Sequence, residues 1–596
     1  MFYRPHTENQ ADRLRRARPV IALASVAFAV GAIVGANHTS SSAHQLATQF
    51  VTAWSRGNYT RMYADIGAGA QQGVSAGDFA GAYQGALRTA TATSERVTGG
   101  ARSLPDGFVE VPVRVRTRLF GTLSLPFEVR VQEGGGEGAR VVFSPTLVFP
   151  GLHPGEVLSR RTTLPRRATL LARDRSVLAE SSQGSEGDTQ QRSSPLGELA
   201  SAVLGTVGPL PASRRKALES EGVPANATVG VSGLELAMDD RLRGTPGGEL
   251  LAGQRVLASA APRSAPAVRS SVSPELQRAA VTALGGQLGG IVVMQPSTGQ
   301  ILAVAGIGLD SLQPPGSTFK MVTLTGVLTA GIANPHTVFP YATFATLDGV
   351  KLNNANGEEC GGTLELAFEV SCNSVFAPLG VKLGAARIVS TAERFGFNRP
   401  PGIPGAAEST LPAPSQIQGE LDVGSTAIGQ GQVLASALQM ATVAATVADD
   451  GHRPQPTFAF GAPAAAGVPV MSASVAGTVR HLMIGVVRFG TGTQAAIPHV
   501  VVAGKTGTAE LKTACSSSDP PPSESEPESE SGEAGPEGCG GAANEASNTD
   551  AWFAAFAPAI HPRLVVGVLL VKDGAGGDTA APVAREVLEA GLHTGS

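Results

Sequence analysis

The sequence predicts a multidomain α+β protein with a membrane anchor at its N-terminus, on three observations. Its 596 residues, 42% hydrophobic and 16% charged, exceed one domain of ordinary size and suffice for several cores. An uncharged apolar run follows a cluster of arginines near the start. Beyond it, helical periodicity gives way to two-residue alternation, and later two β-rich stretches bracket a long, largely helical middle. A formal net charge of -4 supplies no basic field for phosphates, which argues against a nucleic-acid partner.

The anchor is the run "PVIALASVAFAVGAIVGA" from Pro19 to Ala36, preceded by Arg13, Arg15, Arg16 and Arg18. Crossing a bilayer takes roughly 17 to 25 apolar residues, and the run just meets that length. The arginines would keep its N-terminal side in the cytoplasm and send the bulk of the chain outside. Val34-Gly35-Ala36 would also suit a signal peptidase, but the run exceeds an h-region of about 7 to 15 residues, which favours an uncleaved single-pass anchor. Residues 1–40 are therefore read as cytoplasmic tail and anchor.

Residues 41–151 read as a small α+β domain. Leu46, Phe50, Val51 and Trp54 fall on one helical face, and Ser75 with Asp78 has the spacing of a capping box at the start of a second helix. In "FVEVPVRVRTRLF" Val111, Val113, Val115 and Leu119 alternate with Arg114, Arg116 and Arg118, the period of a half-buried strand. Residues 152–269 read as an extended connector with the polar, mobile stretch "SSQGSEGDTQQRSSP" inside it. The last unit, 270–596, opens with the amphipathic "SPELQRAAVTALGG". It then carries "GIVVMQPSTGQILAVAG", and ends on "AWFAAFAP", "RLVVGVLLVKD" and a helical "APVAREVLEAGL".

An acidic Ser/Pro/Glu-rich insert, residues 512–548, interrupts this last unit as a surface loop. The chain's four cysteines, Cys360, Cys372, Cys515 and Cys539, allow three pairings. Cys515 and Cys539 stand at the two ends of the loop, which favours a bridge there over free thiols. Such a bridge would contribute about 3 kcal/mol in the chain-entropy model.

Chemistry is concentrated in three segments. In "PPGSTFK" the prolines and Gly316 suit a turn into a helix, on which Ser317 and Lys320, three apart, share a face. A serine hydroxyl is a weak nucleophile that an adjacent neutral amine can activate. A helix start also favours negative charge on that oxygen. Alone, Ser-x-x-Lys describes a capping serine and a solvated lysine. "SCNSV" adds Ser371, a hydroxyl able to relay a proton, and Asn373, an amide able to hold a carbonyl. "VVVAGKTGTAEL" adds Lys505, Thr506, Gly507 and Thr508, where glycine permits close approach in a strand and the lysine and hydroxyls can grip a carboxylate.

In this order and at these separations the three segments resemble the motif set of the class B penicillin-binding proteins, membrane-anchored D,D-transpeptidases of peptidoglycan. "LELAMDDRLRGTPG" resembles the family's connector motif, "AIGQGQVLASALQMA" its Gly-Gln-Gly segment and "TDAWFAAFAP" a strand of its final sheet. The 41–151 unit, ending "FSPTLVFPGL", is similar to the nuclear-transport-factor-like extension of the methicillin-resistance subgroup. The resemblance implies a pedestal-type connector and a β-lactamase-like transpeptidase domain, an antiparallel sheet flanked by helices.

It also implies roles. Ser317 would attack the penultimate D-alanine carbonyl of a stem peptide, with Lys320 as base and Ser371 as relay to the leaving amine. Asn373 would orient the substrate amide, while Lys505, Thr506 and Thr508 hold the terminal carboxylate. The backbone N–H groups of Ser317 and Thr508 would bind the oxyanion. β-Lactams would acylate the same serine. No metal or cofactor is implied, and cell-wall assembly proteins such as a glycosyltransferase are implied partners. Cys372 falls inside the Ser371-x-Asn373 motif with Cys360 shortly before it, so a bridge between them, weighed evenly against free thiols, would stiffen the loop that aims Ser371. A D,D-carboxypeptidase, a β-lactam-hydrolysing or sensing relative, and a non-catalytic scaffold are the competing readings. The anchor and long connector favour the transpeptidase over the hydrolases, and the five intact polar residues argue against the scaffold.

Overall fold

A computed structural model describes residues 42–134, 138–181, 192–461, 467–510 and 548–593. The predicted anchor, the Cys515–Cys539 pairing and nearly all of the acidic insert lie outside them. Among the described residues no single helix is long and apolar enough to cross a membrane.

The chain divides into two compact units. The first takes residues up to Leu164 together with Ala212–Ala225 and Pro246–Arg263; the second takes Pro165–Pro211, Asn226–Thr245 and everything from Ser264. The expected connector span 152–269 thus contributes to both. Strand pairing between residues far apart in sequence causes the division, and no local pattern announces it.

In the first unit, helix α1 (Ser42–Ser55) buries Phe50, Val51 and Trp54, the face its periodicity predicts. Ser75 caps α2 (Ala76–Thr89) by accepting from the Asp78 N–H at 3.1 Å. Both pack on an antiparallel sheet of β1 (Ala92–Val97), β2 (Phe108–Thr117), β3 (Thr122–Gly134) and β4 (Gly138–Val141). Val111, Val113 and Val115 point into the core while Arg114 and Arg116 are exposed, as the alternation requires. Leu119 is buried too, but past the strand's end. A separate antiparallel sheet joins β5 (Leu158–Thr163), β6 (Gly247–Ala252) and β7 (Arg255–Ala260).

The second unit has two parts. Around "LELAMDDRLR" an ionic network lies beside buried Leu234, Met238 and Leu242: Arg167 pairs with Glu235 at 2.6 Å and with Asp239 at 2.7 Å, Arg192 reaches Glu235 at 2.7 Å, and Arg243 reaches Asp239 at 3.0 Å. Arg167, Glu235 and Asp239 are buried, so each charge depends on its partners. Glu235→Ala removes the Arg192 ion pair and one of the two made by buried Arg167, and urea denaturation should report about 3 to 5 kcal/mol of lost stability.

The larger part is built on a five-stranded antiparallel sheet in the order β9 (Ile301–Gly306), β8 (Gly289–Met294), β12 (Leu564–Leu570), β11 (Thr549–Ala557) and β10 (Ala503–Glu510). Strands β8, β9 and β12 are apolar on both faces because both are covered. Ala551, Phe553 and Ala555 face a core formed with α3 (Pro274–Leu284) and the C-terminal Ala580–His593 helix. Trp552, Ala554 and Phe556 face the helical core on the other side, which includes α4 (Lys320–Thr329). The middle of this unit is less helical than expected. It contains the strand pairs Val338–Ala342 with Cys360–Thr363 and Phe344–Leu347 with Val350–Asn353.

Candidate active site

Ser317 lies in a single 3₁₀ turn, Gly316–Phe319, that runs directly into α4. Gly316 has φ +51°, and a Cβ there would lie 2.7 Å from the Thr508 carbonyl oxygen of β10. Gly429, of the Gly-Gln-Gly segment, accepts from the Gly316 N–H at 2.9 Å; a Cβ on it would meet Gly316 O at 2.1 Å. Residues without side chains thus bring three distant segments to one turn. The first residue of α4, Lys320, is buried.

Helix α5 (Leu364–Glu369) ends just before Ser371, and α6 (Asn373–Leu383) begins two residues later. Ser371 adopts φ +62°, a left-handed conformation that costs a non-glycine residue on the order of 1 kcal/mol and is tolerated where surroundings enforce it. Those surroundings include a disulfide between Cys360 and Cys372, the adjacent residue. They also include Asn354, which donates to Ala342 O at 2.8 Å and accepts from the Ser374 N–H at 2.8 Å.

The two amines converge on Ser371. Lys320 Nζ donates to Ser371 O at 2.6 Å and Asn373 Oδ1 at 2.6 Å, and lies 3.3 Å from Ser371 Oγ. Lys505 Nζ lies 2.9 Å from the same Oγ and donates to Thr506 O at 3.1 Å. Beneath them are Phe376 and Phe368, each ring centroid 5.6 Å from its amine. With aromatic carbon replacing water, burial holds the Lys320 amine well below the ordinary lysine value, and the neighbouring Lys505 lowers it further. Burial brings Lys505 down to about 7.

A neutral amine has two N–H donors and one lone pair. In Lys320 the donors are matched by the two acceptors at 2.6 Å, leaving the lone pair to accept from a hydroxyl. Asn373 Nδ2 donates one hydrogen to Asn353 O at 2.9 Å and keeps a second for a ligand. The direct Ser317–Lys320 hydrogen bond that the one-turn spacing allows is not formed, and among the described residues Ser317 Oγ has no partner. The amine instead leans towards the Ser371 carbonyl, which the sequence motif does not advertise. Such contacts commonly tighten only when substrate is bound.

Thr506 is buried, while Gly507 and Thr508 continue β10 along the Ser317 turn: a Cβ on Gly507 would lie 2.7 Å from Pro315 O. One further residue at the site was not expected. Thr491, in the loop after the Ala473–Arg488 helix, has its Oγ1 2.6 Å from Thr506 Oγ1. Only the local echo of "GTGT" in "GKTGT" could have drawn attention to it.

Residues 289–520 match the penicillin-binding protein transpeptidase domain family, 185–255 the penicillin-binding protein dimerisation domain and 42–156 the NTF2-like N-terminal transpeptidase domain. The peptidoglycan D,D-transpeptidase PbpA of Mycolicibacterium smegmatis is 31% identical over 432 residues, 61% of this chain and 80% of that protein. The chain belongs to the class B penicillin-binding proteins. Among solved structures, this penicillin-binding protein is similar to the D,D-transpeptidase domain of a peptidoglycan glycosyltransferase from Eggerthella lenta. The TM-score is 0.55 at 30% identity, covering 72% of this chain and 99% of that one. It is likewise similar to the ceftriaxone acyl-enzyme complex of penicillin-binding protein A from M. tuberculosis, with TM-score 0.53 and 26% identity over 72% and 98% of the two chains.

Proposed function

We propose that this penicillin-binding protein is a serine D,D-transpeptidase that cross-links peptidoglycan stem peptides through an ester on Ser317. The observation that carries the reading is the meeting of Lys320 and Lys505 on the Ser371 hydroxyl, at 3.3 and 2.9 Å, beside the Ser317 turn. Burial lowers both amines, Lys505 to about 7 and Lys320 well below the ordinary lysine value, and the neighbouring Lys505 lowers Lys320 further, which favours the neutral amine a base requires.

In the first step Ser317 Oγ bonds to the penultimate D-alanine carbonyl carbon while its proton passes to Lys320. The Ser317 and Thr508 N–H groups hold the oxyanion, each worth roughly 10²- to 10³-fold. Collapse breaks the C–N bond, and the proton returns through Ser371 to the departing D-alanine amine. An amine of a second stem peptide then attacks the ester, losing its proton by the reverse route and freeing Ser317. Asn373 orients the donor amide; Lys505, Thr506 and Thr508 hold its terminal carboxylate, with Gly507 keeping the strand close. β-Lactams enter the same path and stop at the ester. The run at 19–36 anchors the protein in the cell membrane with its bulk outside, where a glycosyltransferase supplies the glycan strands it joins.

The test is product analysis with a D-alanyl-D-alanine stem peptide and an acceptor amine. Cross-linked dimer is expected. Free D-alanine without dimer would make the protein a carboxypeptidase, and no turnover would make it a scaffold.

A further inference from the structure

Thr491 has no part in the chemistry just derived, yet it bonds to one catalytic segment and to the helix end just before another. Its N–H donates to Glu369 O at 3.1 Å, at the end of α5, two residues before Ser371. Its hydroxyl lies 2.6 Å from Thr506 Oγ1, next to Lys505. The residue is exposed whereas Thr506 is buried, so it stands at the rim with the Thr506 hydroxyl behind it.

The proton count gives this contact a direction. Of two hydroxyls at 2.6 Å one donates and the other accepts. Thr506 Oγ1 also lies 3.4 Å from the Lys505 ammonium, which only donates. If Thr491 supplies the second hydrogen, both lone pairs of Thr506 Oγ1 are engaged and its own O–H must point elsewhere. The anion that Lys505 attracts is the acceptor at hand. Were Thr506 to donate to Thr491 instead, it would present a lone pair to a carboxylate and repel it.

We propose that Thr491 is a positioning residue for carboxylate recognition, its hydroxyl donating to Thr506 so that the Thr506 proton is aimed at the terminal carboxylate of the acyl donor. The inference rests on the transpeptidase reading, and its test separates the two. Acylation rate constants are measured for benzylpenicillin and for its methyl ester, which lacks the anion. Wild-type protein should prefer the acid. In Thr491→Val the acid-to-ester ratio should fall about tenfold, the scale of a hydrogen bond to a charged group, and Thr491→Ser should restore it. The ratio is internal to each variant, so partial unfolding leaves it intact. An unchanged ratio in Thr491→Val, a Thr491→Ser variant that behaves like valine, or a wild type indifferent to the carboxylate would each overturn the assignment. A wild type that forms no adduct with either compound overturns the transpeptidase reading itself.

Discussion

Ser317→Ala forms no covalent adduct with a fluorescent penicillin, while the wild type labels on its side-chain oxygen. The expectation follows from where the residue sits. Ser317 is partly exposed on a turn clamped from both sides by Gly316, Gly429 and Thr508, and its oxygen is the hydroxyl there that among the described residues has no hydrogen-bond partner. Alanine keeps the turn, since the closest approaches are made by backbone atoms. The variant should therefore fold, and should still bind the acid reversibly through Lys505. Ser371 is unable to substitute: its oxygen is engaged by both amines. Gel fluorescence with intact-protein mass spectrometry checks this, and equal labelling of the two proteins would remove Ser317 from the mechanism.

How far the site could be read from sequence depends on what each feature rests on. The three segments were legible because acyl transfer needs particular atoms, and those atoms are written into the residues. Their convergence rests on glycines whose value appears only when another backbone approaches, as Thr508 does at Gly316. Helices α1 and α2 and strand β2 were legible from period and capping, since their burial is local in origin. The middle hairpins were missed although Asp348-Gly349, with φ +49° and +81°, is a turn signal between alternating residues. Strands of four or five residues are too short to outweigh the surrounding helical pattern. The Arg167 network and the division of the connector depend on partners up to 72 and 94 residues away, respectively, beyond any window of periodicity. Cys360 and Cys372 do pair, which separation alone left open.

Lys320→Met should lower the acylation rate constant by roughly 10²- to 10⁴-fold, the usual worth of a positioned general base, and should remove the acid limb of its pH profile. Methionine matches the length of the buried stem without an amine. In the wild type the rate should rise with pH as Lys320 loses its proton, well below the usual lysine range. Discharge of Lys505, which burial brings to about 7 in the free protein, should lower the rate by loosening its hold on the carboxylate. The variant keeps only that second limb. Stability carries the same signature. Both amines titrate lower in the folded than in the unfolded chain, so between the folded and unfolded values the unfolded state binds more protons, and stability rises with pH. Removing Lys320 flattens that slope: the change in urea midpoint between pH 7 and pH 10 should be smaller in the variant. A variant that keeps both the acid limb and the full slope would show that some other group is the base, and that the amine at position 320 is charged. The two readouts are independent, since one follows chemistry at Ser317 and the other follows proton uptake on unfolding, and a neutral buried amine is what makes them move together.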